Sequence, residues 1–351
     1  MILPEVVLFN VLMIIADLIV MFAARLRCSF LSSIILLTCH LATGLFLSLF
    51  LSGDMFLVTR LACFEVFIHI PLLCLAATLF YYNRKKSLAI SFAVLFFIVI
   101  DCAVDAFFLE PHDIQITHYN LHSAKINKAL RIVVLSDIQS DNVGAYEEKI
   151  MQLAVNEKPD LILLPGDYLQ CSSLEEQEIQ EAKLNALFKK YFSDPSFRVY
   201  AVQGNVDIDN WQSSFTNTAI RLFENTDSVS VKGIHIIGLS LINSFQQDLT
   251  INSTNQFQIV FGHAPDFSLG KVNADLLIAG HTHGGQVQLP FTGPLMTLSA
   301  VPRSWASGLT QILENKTLIV SRGIGMERGR APRLRFMCKP EIVVVNIVPG
   351  K

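Results

Sequence analysis

The heptapeptide Gly280-His281-Thr282-His283-Gly284-Gly285-Gln286 sets two imidazoles one residue apart between glycines. In an extended chain alternate side chains leave on the same side, so both rings could reach one small volume. The glycines permit a sharp turn and a close approach to whatever is bound there. A metal site at a strand end would use such a pair, but so would an ordinary surface loop. The choice depends on what else the chain sends to the same place.

Stepping along the chain, the same kind of handover recurs. Leu130 to Leu135 reads as a buried strand ending in Ser136-Asp137-Ile138-Gln139, and Leu161 to Leu164 ends in Pro165-Gly166-Asp167. Val199 to Val202 runs into Gln203-Gly204-Asn205-Val206-Asp207, Phe257 to Phe261 into Gly262-His263, and Asp275 to Ala279 into the histidine pair. Helical periodicity lies between them, around Tyr146 to Asn156 and from Glu175 to Phe192. Strands alternating with helices predict an α/β fold, in which ligands gather at the carboxyl ends of strands. Acids come first and histidines last. Oxygen and imidazole donors together suit Mn, Fe or Zn, and two such ions would clamp a phosphoryl group and generate hydroxide.

The first third is built differently. Of 57 Asp, Glu, Lys and Arg residues in a chain of 351, only 12 precede position 110, and 52% of the whole is hydrophobic. Four apolar runs, Val6 to Ala24, Phe30 to Leu51, Phe56 to Tyr81 and Leu88 to Leu109, each approach or exceed the ~20 residues that span a bilayer. The first run lacks the basic leader of a signal peptide, and three more follow it. Expected domains are therefore a four-helix membrane region at 1–112 and an α/β domain at 113–351. Arg25 and Arg27, then Arg84, Lys85 and Lys86, put the first and third loops in the cytoplasm, and everything after residue 110 outside it.

Asp17, His40, Arg60, Glu65, His69, Asp101 and Asp105 fall inside the apolar runs. Such groups can mark a transport path. Bundle packing, interfacial placement and neutralisation of Glu65 by Arg60 explain them more simply. The formal charge of −3 offers no basic surface for nucleic acid. Seven cysteines without a CxxC spacing indicate neither a zinc cluster nor a disulfide framework, and pairing of Cys171 with Cys338 stays open.

The series Asp137-Ile138-Gln139, Gly166-Asp167, Gly204-Asn205-Val206-Asp207, Gly262-His263 and Gly280-His281-Thr282-His283 resembles the signature of calcineurin-like metallophosphoesterases. The run GHTHGGQVQLP and the later SRGIGMERGRAPRLRF and KPEI resemble the bacterial membrane-anchored branch. The resemblance covers about residues 125–348 and implies a four-layer α-β-β-α sandwich behind the transmembrane helices. It also implies an inner-membrane, multi-pass phosphoesterase with two divalent ions, Mn ahead of Fe, Zn or Mg. Asp137 and His283 would hold the first ion, with Gln139 beside them. Asn205, His263 and His281 would hold the second, and Asp167 would bridge both. A metal-bound hydroxide would attack, with Asp167, Asn205 and His281 as the catalytic set.

Two positions depart from that pattern. Gln139 stands where the family has a histidine, and a glutamine carbonyl is a harder, weaker donor than imidazole. Val206 stands where a histidine assists the leaving group, and valine has no proton to give. Losing a general acid costs about 10²–10⁴-fold, least where the leaving group is a stable anion. A phosphodiester or pyrophosphate-linked substrate, small or lipid-linked, is therefore expected, with Arg322, Arg328 and Arg330 gripping phosphate. The alternatives are UDP-2,3-diacylglucosamine pyrophosphatase activity in lipid A synthesis, a weakened metal or phosphate sensor, and a transporter with an accessory domain.

Overall fold

Continuous apolar runs shape one part of the chain, and strand–helix alternation shapes the other. The computed structural model describes residues 3–26, 29–194, 197–207 and 210–350; Arg27 and Cys28 lie outside the described residues. The chain divides into two compact units, Met1–Phe108 with Arg330–Arg333, and Leu109–Gly329 with Leu334–Lys351.

The first unit is helical. Pro4–Leu26 and Phe30–Leu51 are followed by Met55–Phe64 and Ile70–Tyr81, joined through a π-helical turn at Glu65–His69, and then by Lys86–Val104. Among the described residues, four helical spans are long and apolar enough to cross a membrane. Their interior is not wholly apolar. Asp17 lies 2.8 Å from a ring nitrogen of His40 and 2.8 Å from one of His69. His40 reaches Glu65 at 2.9 Å with its other nitrogen, and His69 reaches Asn10 at 3.1 Å. The expected neutralisation of Glu65 by Arg60 does not occur. Arg60 donates to the Ala331 carbonyl at 3.1 Å, and Glu65, the first residue of the π turn, meets His40 instead. The extra residue of a π turn shifts side chains around the helix, and such turns concentrate at functional or tightly packed positions.

The second unit consists of two six-stranded mixed sheets. The strands are β1 (Gln115–Ser123), β2 (Leu130–Val134), β3 (Leu161–Leu164), β4 (Val199–Val202), β5 (Arg221–Phe223), β6 (Asp227–Val231), β7 (Ile234–Gly238), β8 (Phe257–Phe261), β9 (Leu276–Ala279), β10 (Gly308–Leu313), β11 (Lys316–Val320) and β12 (Glu341–Pro349). One sheet has the order β1-β12-β2-β3-β4-β5, the other β10-β11-β9-β8-β7-β6. The centre of each is parallel, β2 to β5 in the first and β7, β8, β9 and β11 in the second.

Uninterrupted apolar strands such as Leu-Ile-Leu-Leu at 161–164 are what a sheet covered on both faces requires. Alternate residues of these strands build two cores. Ile132, Val134, Leu161 and Leu163 pack with Ile236, Ile259, Phe261 and Ile278 between the sheets. Val133, Ile162 and Leu164 pack outward against Ala145–Asn156 and Leu174–Phe192 through Ile150, Leu184 and Phe188. This is the α-β-β-α order of layers that the resemblance implied. Its fourth layer is thin: Val260, Leu277 and Leu318 on the outer face of the second sheet are buried with Phe267, which belongs to the single turn Pro265–Leu269.

Candidate metal centre

The handover points converge. Asp137, Asp167 and Asn205 follow the adjacent parallel strands β2, β3 and β4, whereas His263 and the histidine pair follow the adjacent strands β8 and β9. The loops are stitched to one another by their backbones. Asp137 N donates to Gly166 O at 3.1 Å, Gln139 N to Asp167 O at 2.8 Å, and Gly280 N to His263 O at 2.9 Å.

Asp137, Gln139, Asp167, His281 and His283 are all non-glycine residues with positive φ, between 40° and 68°. Left-handed backbone is sparsely used by such residues, and it persists where the surroundings fix it, often at functional sites. His281 and His283 therefore do not lie in extended chain as their spacing suggested. The turn sends them into two neighbouring groups of side chains, Asp167 with His263 and His281, and Asp137 with Asp167 and His283. Asp167 belongs to both. Gly204 accounts for part of this closeness: a Cβ there would collide with the Asp167 carboxylate.

Charge and proton positions fit two cations. His263 Nδ1 lies 2.9 Å from the Pro165 carbonyl and His281 Nε2 lies 3.2 Å from the Leu298 carbonyl. Each of those nitrogens must carry the proton, which leaves His263 Nε2 and His281 Nδ1 as bare lone pairs. These lone pairs lie 3.1 Å apart, and His263 Nε2 is 2.7 Å from Asn205 Oδ1 and 3.4 Å from an Asp167 oxygen. Two bare ring nitrogens facing an amide oxygen and a carboxylate form a set of acceptors that a cation satisfies. On the other side, both nitrogens of His283 and the Oε1 of Gln139 are buried without a hydrogen-bond partner. Burial holds His263 and His283 well below the ordinary histidine range, so both are neutral and ready to ligate. Burial also pushes Asp137 up to about 7 and Asp167 well above the usual carboxylate range, with neighbouring carboxylates adding to the Asp167 shift. The donor set fits divalent ions.

Several contributors had escaped the sequence reading. Asp207, from the same loop as Val206, accepts the backbone N–H groups of Asp167 at 2.9 Å, Tyr168 at 2.7 Å and Gly204 at 2.7 Å. It braces Asp167 from behind. Arg335 is fully buried and donates to the carbonyls of Arg322, Gly323, Gly325 and Cys338. Phe245 sets its ring edge-on to His281, with centroids 5.0 Å apart. Glu327 approaches both Gln139 and His283. Asp207, Glu327 and Arg335 carried a signal, as charges inside the runs quoted for the resemblance.

Each of the three arginines expected to grip phosphate lies beside a carboxylate. Arg322 pairs with Glu341 at 2.9 Å, and Arg328 Nε lies 3.4 Å from Asp141. Arg330 belongs to the helical unit and pairs with Glu5 at 3.0 Å and Asp54 at 2.6 Å. Asn205 is exposed and Val206 half-buried, so the centre opens on that side. Cys171 and Cys338 are both free thiols.

The sequence profile of calcineurin-like phosphoesterases matches residues 130–285. The uncharacterized metallophosphoesterase YkuE of Bacillus subtilis (strain 168) is 30% identical, over 68% of this chain and 87% of its own length. Phosphodiesterase YaeI of Escherichia coli (strain K12) is 24% identical over 69% of this chain and 91% of its own. UDP-2,3-diacylglucosamine pyrophosphatase LpxG of Chlamydia trachomatis serovar D is 23% identical over 68% and 90%. The chain belongs to the calcineurin-like phosphoesterase family and is a phosphoester hydrolase.

Proposed function

We propose that this calcineurin-like phosphoesterase is a membrane-anchored hydrolase that holds two divalent ions and cleaves a phosphodiester or pyrophosphate bond. The observation that carries the reading is the sharing of Asp167 between two groups of ligand-type side chains. Asp137, Gln139 and His283 would hold the first ion, Asn205, His263 and His281 the second, and Asp167 both. Ions so held polarise phosphoryl oxygens and acidify a water. With Asp167, Asn205 and His281 as the catalytic set, the protein's part is to keep these donors in place. Asp207 fixes the Asp167 backbone, Leu298 fixes the His281 ring, and Asn205 lies at the open side where substrate enters.

Val206 gives the leaving group no proton, so departure as an anion is favoured and substrates with aryl or phosphate leaving groups are preferred. Phosphate contact is proposed for Arg322 and Arg328, each of which must exchange a carboxylate partner, Glu341 or Asp141, for substrate. The four apolar helices would anchor the enzyme, with the basic residues Arg25, Arg84, Lys85 and Lys86 in the cytoplasm and the catalytic unit outside.

The test uses the full chain in detergent with Mn, against an aryl phosphodiester, an alkyl monoester and a nucleoside-diphosphate lipid. Turnover of the diester or the diphosphate that stops with chelator and returns with Mn is expected. No turnover with both ions bound would replace the enzyme by a metal- or phosphate-binding sensor. One relative bears the name UDP-2,3-diacylglucosamine pyrophosphatase, and its pyrophosphate bond is the kind that tolerates Val206. That second reading needs a cytoplasmic catalytic unit. A reporter fused after Pro111 decides the side: an extracytoplasmic signal is expected, and a cytoplasmic one favours the nucleoside-diphosphate lipid.

A further inference from the structure

The two groups around Asp167 leave one acid unexplained. Glu327 lies in the loop after β11, its side chain only 14% exposed. The loop is clamped from two sides. Glu327 N donates to Gln286 Oε1 at 2.6 Å, and Arg328 N donates to Gln170 Oε1 at 2.9 Å. The same Gln170 oxygen accepts from Gln139 Nε2 at 2.9 Å, and Glu327 Oε2 accepts from that nitrogen at 3.2 Å. Two acceptors on one amide nitrogen fix the orientation of Gln139 and leave its Oε1 as the buried, unpartnered end. The second carboxylate oxygen of Glu327 lies 3.9 Å from His283 Nε2, which is buried and also without a partner.

A third carboxylate, mostly shielded from water and near Asp137 and Asp167, is costly by itself, since like charges in a poorly solvated site repel. Its position makes sense if a cation completes the group. We propose that Glu327 is a ligand of the first ion, so that this half of the centre presents three carboxylates, one amide oxygen and one imidazole. The proposal rests on the two-ion reading above. An oxygen-rich set with a single nitrogen suits Mn or Mg over Zn. Gln139, a weak donor, then serves chiefly to orient Glu327 through its amide.

The experiment is metal content and Mn affinity of the full-length protein in detergent, with bound Mn followed by its paramagnetic signal. Wild type is expected to hold two Mn. Glu327→Gln is expected to keep the Mn at His263 and His281, which reports that the variant is folded, and to bind the other ion more than ~100-fold more weakly, beyond the ~10–100-fold that loss of a ligand's hydrogen-bond partner costs. Gln139→His in the Glu327→Gln background restores the lost site through a stronger neutral donor and raises its preference for Zn. Retention of both ions at wild-type affinity in Glu327→Gln overturns the assignment. Wild type that binds one Mn or none overturns the two-ion reading itself, which separates the two failures.

Discussion

On the nitrogen-rich side of the centre, His263 and His281 each commit one ring nitrogen to a backbone carbonyl, whereas on the oxygen-rich side His283 has neither nitrogen bonded. The first arrangement fixes ring and tautomer before any ion arrives. In the second, the histidine is held by packing and by its left-handed backbone, and the glutamine beside it is oriented through its nitrogen rather than its oxygen. Preorganised ligands cost less to bring to a metal. The difference therefore predicts unequal sites, a tight one at His263 and His281 and a looser one at Asp137 and His283.

Asp167, common to both groups, gives the largest expected effect. Asp167→Asn removes a charge from both sides, so metal content falls from about two ions to less than one; elemental analysis that still finds both would abolish the shared-ligand comparison. Next comes the asymmetry itself. His263→Ala is expected to weaken the tight site by more than ~10-fold while the looser site keeps its affinity, and His283→Ala to do the converse from a weaker starting point. Competition against a graded chelator measures both, and equal starting affinities would erase the contrast. Third, Val206→His is expected to raise alkyl monoester hydrolysis by ~10²-fold and aryl diester hydrolysis far less. Parallel gains on the two substrates would mean that protonation of the leaving group is not what valine removed.

The smallest effect is on pH. In the metal-free protein Asp137 and Asp207 are both pushed up to about 7, first of all by burial. Between the ordinary carboxylate range and about 7, the folded state then binds protons that the unfolded chain has released. Stability of the metal-free protein accordingly falls as pH rises through that window and levels off above about 7. Mn reverses the slope, because it competes with protons for Asp137. Melting temperatures at pH 5 and 8, with and without Mn, measure both slopes; a metal-free protein more stable at pH 8 would mean that these carboxyls are not protonated in it.

Much of the centre was legible because its chemistry is written in strand ends. Leu161–Leu164, Val199–Val202 and Phe257–Phe261 form at the expected residues, and each delivers its ligand within a few positions. A buried strand has few alternatives, since a four- or five-residue apolar run bounded by Gly or Pro is too short for a helix. The edge strand β1 and its neighbour β12 were not legible. β12 lies between β1, to which it is parallel, and β2, to which it is antiparallel, and such long-range pairing leaves no local trace. Nor does periodicity reveal backbone handedness. The positive φ of Asp137, Asp167, His281 and His283 is imposed by neighbouring loops, and the same spacing would look identical in extended chain. Glu327 stayed hidden for a related reason: its partners Gln139 and Gln286 come from other loops.

The polar chain inside the helical unit has a consequence for the order of events at synthesis. Asp17 emerges 52 residues ahead of His69, its hydrogen-bond partner. At ~5–20 residues per second, the acid waits roughly 3–10 seconds for that histidine. In a bilayer an ionisable group without a partner is costly. The first helix would therefore gain by staying in a polar surrounding until the second and third helices bring His40, Glu65 and His69. Joint entry of the three helices would then be favoured over entry one helix at a time.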